Sequence, residues 1–304
     1  MRPTAFNYHD STWDTGKASS LQKKVGILLG LKVFHTRALT GALTESGLEL
    51  VSGERFEALY AGSGAWEAVD LTEIQKLARQ PFREIPVSPS TSGDDARLFD
   101  EIIYLKDRVI SASILRNGIH PGSYRVGSSR EYDAYQVIFG PDEQERWRFL
   151  ASYSTEEEAV SAANDLRWLL VNLNVMSEGF HMIEHLLLRP MGQEVHTGVD
   201  VPEDFYSFKI SVMFPNWTAR FSDPAFRMVA AETVEHNCPA HVYPEFHWLE
   251  FETMKRFEGL YQSWLDLKCG ESASPEDIDA ASKQMISFIL KLKAQRPGGE
   301  GKQS

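Results

Sequence analysis

The chain has 304 residues, of which 42% are hydrophobic and 24% are charged, and its formal net charge is -12. This length and composition are typical of a globular protein with two or three domains, and they exclude wholesale disorder. The excess of negative charge argues against attraction to phosphate backbones or anionic lipid, so no nucleic-acid partner is expected. The two cysteines, Cys238 and Cys269, suggest no disulfide framework and fit a reducing, cytoplasmic compartment.

One apolar run, residues 25–31, follows Lys23 and Lys24 and so imitates a signal peptide. It is much shorter than the roughly 20 apolar residues that a membrane span needs. It also lacks a convincing small-residue cleavage site. We therefore predict a buried strand or helix here, and no direct membrane span.

The N-terminal region contains short elements separated by glycine. Alternating apolar residues on both sides of Gly53 predict a β-hairpin over residues 48–60. A short helix is expected from Leu71 to Ala78. The stretch 86–96 is rich in Pro, Ser and Gly and marks a domain boundary.

The middle of the chain predicts a helix followed by a β-β-α-β block. Apolar spacing predicts one helix over residues 98–115. Strands are expected at residues 135–139 and 146–152. A helix then begins at Glu156-Glu-Glu, whose three acids suit the positive end of the helix dipole. Residues 180–188 read as a buried strand that ends at a proline.

A second block has the order β-α-β-α. The strand at residues 207–214 alternates, with Phe208, Ile210, Val212 and Phe214 on one face. Pro224 at the first position starts a helix. A strand over residues 240–249 and a helix over residues 251–267 follow. A last helix is expected from Pro275 to Leu292.

These elements predict an α+β fold made of two small sheet-plus-helix modules with ferredoxin-like character. The predicted domains are an N-terminal region of undefined fold (residues 1–95), one α+β module (residues 96–200) and a second with a C-terminal helix and a disordered tail (residues 201–304).

The sharpest chemical signal is His181-Met-Ile-Glu184-His185, the H-x-x-E-H pattern of inverted zinc metallopeptidases. On a helix, the two histidines would share one face and bind Zn²⁺, with Glu184 as general base and Glu252 or Glu258 as third ligand. The flanking residues favour a strand instead, on which His181 and His185 share a face but Glu184 points away. We therefore expect no metal and no catalytic residue here, and keep the zinc site as the alternative.

A second cluster comprises His236, Cys238 and His241. Cysteine and histidine at short spacing are typical of zinc sites, but this spacing matches no standard zinc finger. His236 near a helix end also suits the dipole. The sequence leaves open whether this cluster binds metal.

Aromatic residues are frequent in the second block, and their helical spacing favours a core or a partner interface over a sugar or base platform. A subunit that docks on others would use buried aromatic anchors. The candidates for such an interface are Trp217, Trp248, Tyr261 and Trp264.

Two stretches together carry a family pattern. The first is residues 178–190 (EGFHMIEHLLLRP), and the second starts at residues 206–215 (YSFKISVMFP). The second continues through Trp217, Arg220, Phe221, residues 223–227 (DPAFR), residues 239–242 (PAHV), Trp248, Leu249, Met254, Phe257, Glu258, Tyr261, Trp264 and Leu265. Over residues 125–267 the chain resembles a module in large bacterial proteins encoded beside contractile injection systems, which are phage-tail-like particles with baseplate J-like components.

The resemblance implies a structural role at or near a baseplate, with other protein subunits as partners, no cofactor and a place in a cytoplasmically assembled particle. It carries no catalytic residues. The alternative function is a zinc metallopeptidase-like hydrolase using His181, Glu184 and His185. A third possibility is a small-ligand or chaperone-like binding module, which would need a sizeable apolar pocket.

Overall fold

The structure is a computed structural model, and it describes residues 20–31, 38–64, 66–88, 95–130, 133–142, 145–191, 201–270 and 273–295. Its helices are α1 (Ser20–Leu28), α2 (Gly41–Glu45), α3 (Gly53–Tyr60), α4 (Leu71–Lys76), α5 (Asp95–Glu101), α6 (Ile103–Lys106), α7 (Ala112–Asn117), α8 (Glu156–Ser177), α9 (Ala219–Ser222), α10 (Pro224–Asn237), α11 (Phe251–Cys269) and α12 (Pro275–Ala294). Its strands are β1 (Glu49–Val51), β2 (Ala68–Val69), β3 (Ala78–Glu84), β4 (Val109–Ser111), β5 (Tyr124–Ser129), β6 (Tyr135–Phe139), β7 (Trp147–Tyr153), β8 (His181–Glu184), β9 (Lys209–Pro215) and β10 (Tyr243–Leu249). Short 3-10 helices span Pro121–Ser123 and His185–Leu188. The α+β class is confirmed.

The chain divides into two compact units that differ from the predicted domains. The first unit comprises Met1–Gly41, Glu178–Asn216 and Phe221–Ser304, and the second comprises Ala42–Ser177 and Trp217–Arg220. The domain limits predicted near residues 95 and 200 do not coincide with the limits of these two units. The reason is strand pairing: β3 pairs with β5, and β8 pairs with β9, so each pairing crosses a predicted limit.

The second unit is built on a five-stranded antiparallel sheet with the order β2-β7-β6-β5-β3. Helix α8 packs on β5, β6 and β7 and buries its alanine and leucine residues. Strands β5 and β3 approach closely at Gly127, where an added Cβ would lie 2.7 Å from Cγ of Phe82. The β-β-α part of the predicted β-β-α-β block is therefore correct. Its last strand, β8, belongs instead to the three-stranded sheet of the first unit.

Two predictions in the second unit are wrong. The predicted hairpin over residues 48–60 is strand β1 followed by helix α3, because Ser52 caps a helix by accepting a hydrogen bond from the Arg55 amide. The predicted single helix over residues 98–115 is broken into α5, α6, strand β4 and α7. Strand β4 pairs in parallel with β1, so a tertiary contact overrides the local apolar spacing.

The first unit contains a three-stranded sheet with the order β10-β9-β8. Strands β9 and β10 are parallel and joined through α10, while β8 is antiparallel to β9. One sheet face and helices α1 and α10 share an apolar cluster, and α11 packs on β9. Strand β9 is buried along almost its whole length, as expected for a central strand between helices. The predicted β-α-β-α order is confirmed.

The helices of the first unit begin at residues with typical start signals, whereas the predicted burial of Phe208 is wrong. Asp223 caps α10 before Pro224, and Ser274 caps α12 before Pro275. The apolar run at residues 25–31 enters helix α1, with Val25 fully buried. Phe208, predicted to lie inward on β9, precedes the strand and is 63% exposed.

Among the described residues, none of the helices is long and apolar enough to cross a membrane.

Candidate functional site

The H-x-x-E-H segment is a strand followed by a 3-10 turn. His181 to Glu184 form β8, and His185 to Leu188 form the 3-10 helix. The strand predicted over residues 180–188 is therefore confirmed for residues 181–184 and wrong for residues 185–188. His181 is 2% exposed and His185 is fully buried. The helical arrangement that a zinc peptidase requires is therefore not formed.

His181 is bound to a buried carboxylate. Its Nε2 lies 2.8 Å from Oε1 of Glu258, which α11 supplies and which is 5% exposed. The same carboxylate accepts hydrogen bonds from the amides of Leu39 and Thr40 and from the Thr40 hydroxyl. The imidazole also packs beside Phe257, with ring centroids 5.7 Å apart. Glu258 thus fastens residues 39–40 and strand β8 to α11.

His185 has both ring nitrogens engaged inside the protein. Nδ1 lies 2.9 Å from the carbonyl oxygen of Phe205, which can only accept, so Nδ1 carries the proton. Nε2 then accepts from the hydroxyl of Ser211 at 2.8 Å. The ring stacks on Phe205 with a centroid separation of 4.3 Å. Burial lowers the pKa of His185 to about 4, which keeps the imidazole neutral at pH 7.

An ion pair lies next to this histidine. Lys293 Nζ of α12 lies 2.7 Å from Oε2 of Glu245 on β10, and that oxygen is 3.9 Å from Nε2 of His185. The lysine also lies over the Phe205 ring, 5.3 Å from its centroid. These contacts join β10, α12 and the segment before β9.

Strand alternation assigns Glu184 to the face of β8 opposite to His181. Side chains alternate along a strand, and Met182, two residues earlier, packs in the apolar cluster on the α1 and α10 side. Glu184 is partly buried, and burial raises its pKa to about 7. Across the described ranges, no three His, Cys, Asp or Glu side chains are grouped so as to hold a metal ion. Of the two proposed third ligands, Glu258 does meet His181, whereas Glu252 is exposed on α11.

The second candidate cluster is dispersed. His236 is exposed in the last turn of α10, and Cys238 caps that helix and packs against the apolar cluster. Burial, with the nearby charge of Glu235, raises the pKa of the Cys238 thiol to about 11. His241 is exposed and meets the Phe208 ring edge-on at 5.4 Å. Cys238 therefore behaves as a small core residue, and these three residues form no metal site.

The four aromatic interface candidates are buried or partly buried within the chain. Trp217 and Trp264 are each 1% exposed, and Trp264 donates from Nε1 to Ser282 at 3.0 Å. Trp248 is partly buried and stacks on Phe214, with centroids 4.5 Å apart. Tyr261 donates to the carbonyl oxygen of Met182 at 3.3 Å. Trp217 and Trp264 are therefore core residues, whereas Trp248 and Tyr261 are partly exposed and stay interface candidates.

Sequence reasoning missed Phe205, Ser211, Glu245 and Lys293. One signal was present: Ser211 is the second residue, and the one polar residue, of the otherwise apolar run Ile210–Pro215. A buried hydroxyl needs a partner, so a serine at that position predicts a polar group on the neighbouring strand.

We expect purified protein to contain far less than one zinc per chain. The reason is geometric: both ring nitrogens of His185 are hydrogen-bonded, and Glu184 lies on the other face of the strand. Elemental analysis of the wild type beside His185→Ala is the measurement, and equal zinc in both is the expected result. Near-stoichiometric zinc that disappears in His185→Ala would instead support the hydrolase.

Cavities open on the surface of both units, and one of them is lined by Leu186, the residue after His185. Their volumes are about 500, 660 and 580 Å³, and none of these three is lined by His181, Glu184 or His185. No protein-family model matches the chain, and no curated protein gives a significant match.

Proposed function

We propose that the protein is a non-enzymatic structural or assembly component of a phage-tail-like contractile injection system, at or near the baseplate. The observation that carries the proposal is the internal use of the histidine motif. His181 and His185 are buried and hydrogen-bonded within the chain, so the motif serves packing and leaves no open imidazole for chemistry.

The position of the resembling segment supports the same proposal. Residues 178–190 and 206–215 supply strands β8 and β9. Of the helices that pack on them, α10 lies in the rest of the resembling stretch, as does nearly all of α11, whereas α1 and α12 lie outside it. The residues that carry the resemblance are thus mostly interior: Phe214, Phe221, Met254, Phe257 and Trp264 are each at most 1% exposed. A pattern set by packing is what a structural module requires, because its specificity lies in its shape and surface.

The test is whether the protein sediments with a large particle. We expect a tagged chain, expressed at its native level, to co-sediment with a phage-tail-like particle in a velocity gradient of native cell extract. The matched control is the same strain with its baseplate assembly disrupted, where the chain should return to the top of the gradient. A chain that stays monomeric and free in both extracts would contradict the proposal.

A further inference from the structure

Two neighbouring helices of the first unit carry exposed apolar side chains. Helices α1 and α10 pack against each other, and both bury apolar residues in the cluster on one face of the three-stranded sheet. Ile27 and Leu28 of α1 and Met228 and Val229 of α10 are each at least 50% exposed. Single exposed apolar residues need no explanation, whereas a group of four on one pair of helices indicates a contact surface.

These side chains lie on the sides of the helices that face away from the sheet. In α1, Val25 is fully buried in the cluster, and Ile27, two residues later, lies on the opposite side of the helix. In α10, Ala230 is fully buried in the same cluster, and Met228, two residues earlier, again lies on the opposite side. The outward sides of the two helices therefore form one surface.

This surface also carries charges of opposite sign on its two helices. Lys23 and Lys24 are exposed about one turn before the apolar pair of α1, and Glu232 and Glu235 are exposed about one to two turns after the apolar pair of α10. Across the described ranges, none of these four side chains forms an ion pair. We call the surface made of these four charged residues and the four apolar ones the α1/α10 face.

A second copy of the chain is the occupant that matches the α1/α10 face. A two-fold axis that passes through the apolar residues lays apolar groups on apolar groups and brings the lysines of each copy over the glutamates of the other. The two lysines and two glutamates cancel, so the face adds no repulsion of its own, although the chain carries a net charge of -12. An anionic lipid surface would attract the lysines but repel the glutamates, and a partner of uniform charge would meet the same conflict.

The size of the α1/α10 face sets the expected affinity. Helix α10 has 14 residues and is about 21 Å long, and two packed helices lie about 10 Å apart, so the face covers roughly 400 Å² of each copy. This area is about half of the roughly 800 Å² that each partner contributes to a standard stable interface. We therefore expect a weak dimer that dissociates on dilution.

We propose that the α1/α10 face is the interface of a two-fold symmetric dimer of this chain, with apolar contacts at its centre and lysine–glutamate pairs around them. The apolar contacts supply affinity, because they remove exposed hydrocarbon from water, and the ion pairs fix the relative orientation of the two copies. The dimer goes beyond the proposed particle and does not depend on it.

Sedimentation equilibrium of the full chain over a range of concentrations measures this association. We expect a monomer–dimer equilibrium, and we expect Ile27→Glu to weaken it at least about tenfold, because a charge replaces a central apolar contact. Leu59→Glu is the matched control, since Leu59 is a similarly exposed residue on α3 of the other unit, and it should dimerise like the wild type. A wild-type chain that stays monomeric up to about 0.5 mM, or equal affinities of the two variants, would overturn the dimer.

An exchange of charges tests the two-fold pairing. One variant carries Lys23→Glu and Lys24→Glu, and the other carries Glu232→Lys and Glu235→Lys. Each variant alone should dimerise at least about tenfold more weakly than the wild type, because like charges then face each other. Mixed in equal amounts, the two variants should recover the wild-type affinity as a heterodimer, since each lysine again meets a glutamate. A mixture that associates no better than its components would overturn the pairing.

Two further outcomes would assign the α1/α10 face to another partner or to none. Binding of a monomeric chain to vesicles of anionic phospholipid, lost in Ile27→Glu, would identify a membrane surface as the occupant and overturn the dimer. A chain that stays monomeric and still co-sediments with the phage-tail-like particle would overturn the dimer and leave the proposed function intact.

Discussion

Replacing Glu258 with alanine is expected to lower the free energy of unfolding by about 3 to 5 kcal/mol. The carboxylate is 5% exposed and accepts hydrogen bonds from the Leu39 and Thr40 amides, the Thr40 hydroxyl and His181. Its removal leaves four donors without their acceptor in the interior, and each unsatisfied buried group costs about 1 to 3 kcal/mol. Relaxation around the cavity will recover part of that sum.

Urea unfolding followed by tryptophan fluorescence measures this loss. Glu252→Ala is the matched control, because Glu252 is exposed on the same helix, and its effect should stay within about 0.5 kcal/mol. Glu258→Gln should fall between the two, since the amide keeps one acceptor but turns an NH₂ group towards a donor. Hydrogen exchange should quicken first at Leu39 and Thr40. A Glu258→Ala protein as stable as Glu252→Ala would show that these contacts do not stabilise the fold.

Start signals made much of the local structure predictable. Pro224 and Pro275 at the first helical positions and the three glutamates at the start of α8 each act within one helical turn, so the sequence reveals them directly. Strand partners depend on residues far apart in the chain. Nothing near β8 indicates that it pairs with β9 rather than with β7, and this choice moved the limits of both units.

The same distinction applies to the candidate site. The H-x-x-E-H motif was visible, and so was the preference of its flanks for a strand. Its hydrogen-bond partners could not be predicted because they are far away in the sequence: Glu258 lies 77 residues from His181, and Ser211 lies 26 residues from His185. As a site residue, Glu258 was named only as a possible zinc ligand. It binds His181 directly instead, because a buried imidazole and a buried carboxylate satisfy each other without a metal.

Adjacent residues at the end of β8 should give stability opposite dependences on pH. His185 has a folded pKa of about 4, below its unfolded value near 6.5, so its contribution is lost as pH falls through that interval. The full loss is about 3 kcal/mol. Glu184 has a folded pKa of about 7, above its unfolded value near 4.5, so its contribution is present at low pH and is lost as pH rises. Its magnitude is smaller, because part of its carboxyl group reaches solvent.

Single variants should separate the two contributions. The Glu184→Gln variant lacks the carboxyl group whose ionisation lowers the free energy of unfolding as pH rises. The free energy of unfolding of this variant should therefore increase more steeply than that of the wild type between about pH 5 and pH 7. His185→Asn removes the opposite slope while keeping an amide donor for the Phe205 carbonyl, so its stability should fall over the same interval. Urea midpoints at the two pH values measure both slopes, and the slope is informative even if a variant is less stable overall. Because the two residues are neighbours with opposing effects, the wild type should be the least pH-dependent of the three proteins. Parallel slopes in all three would show that neither group changes its pKa on folding.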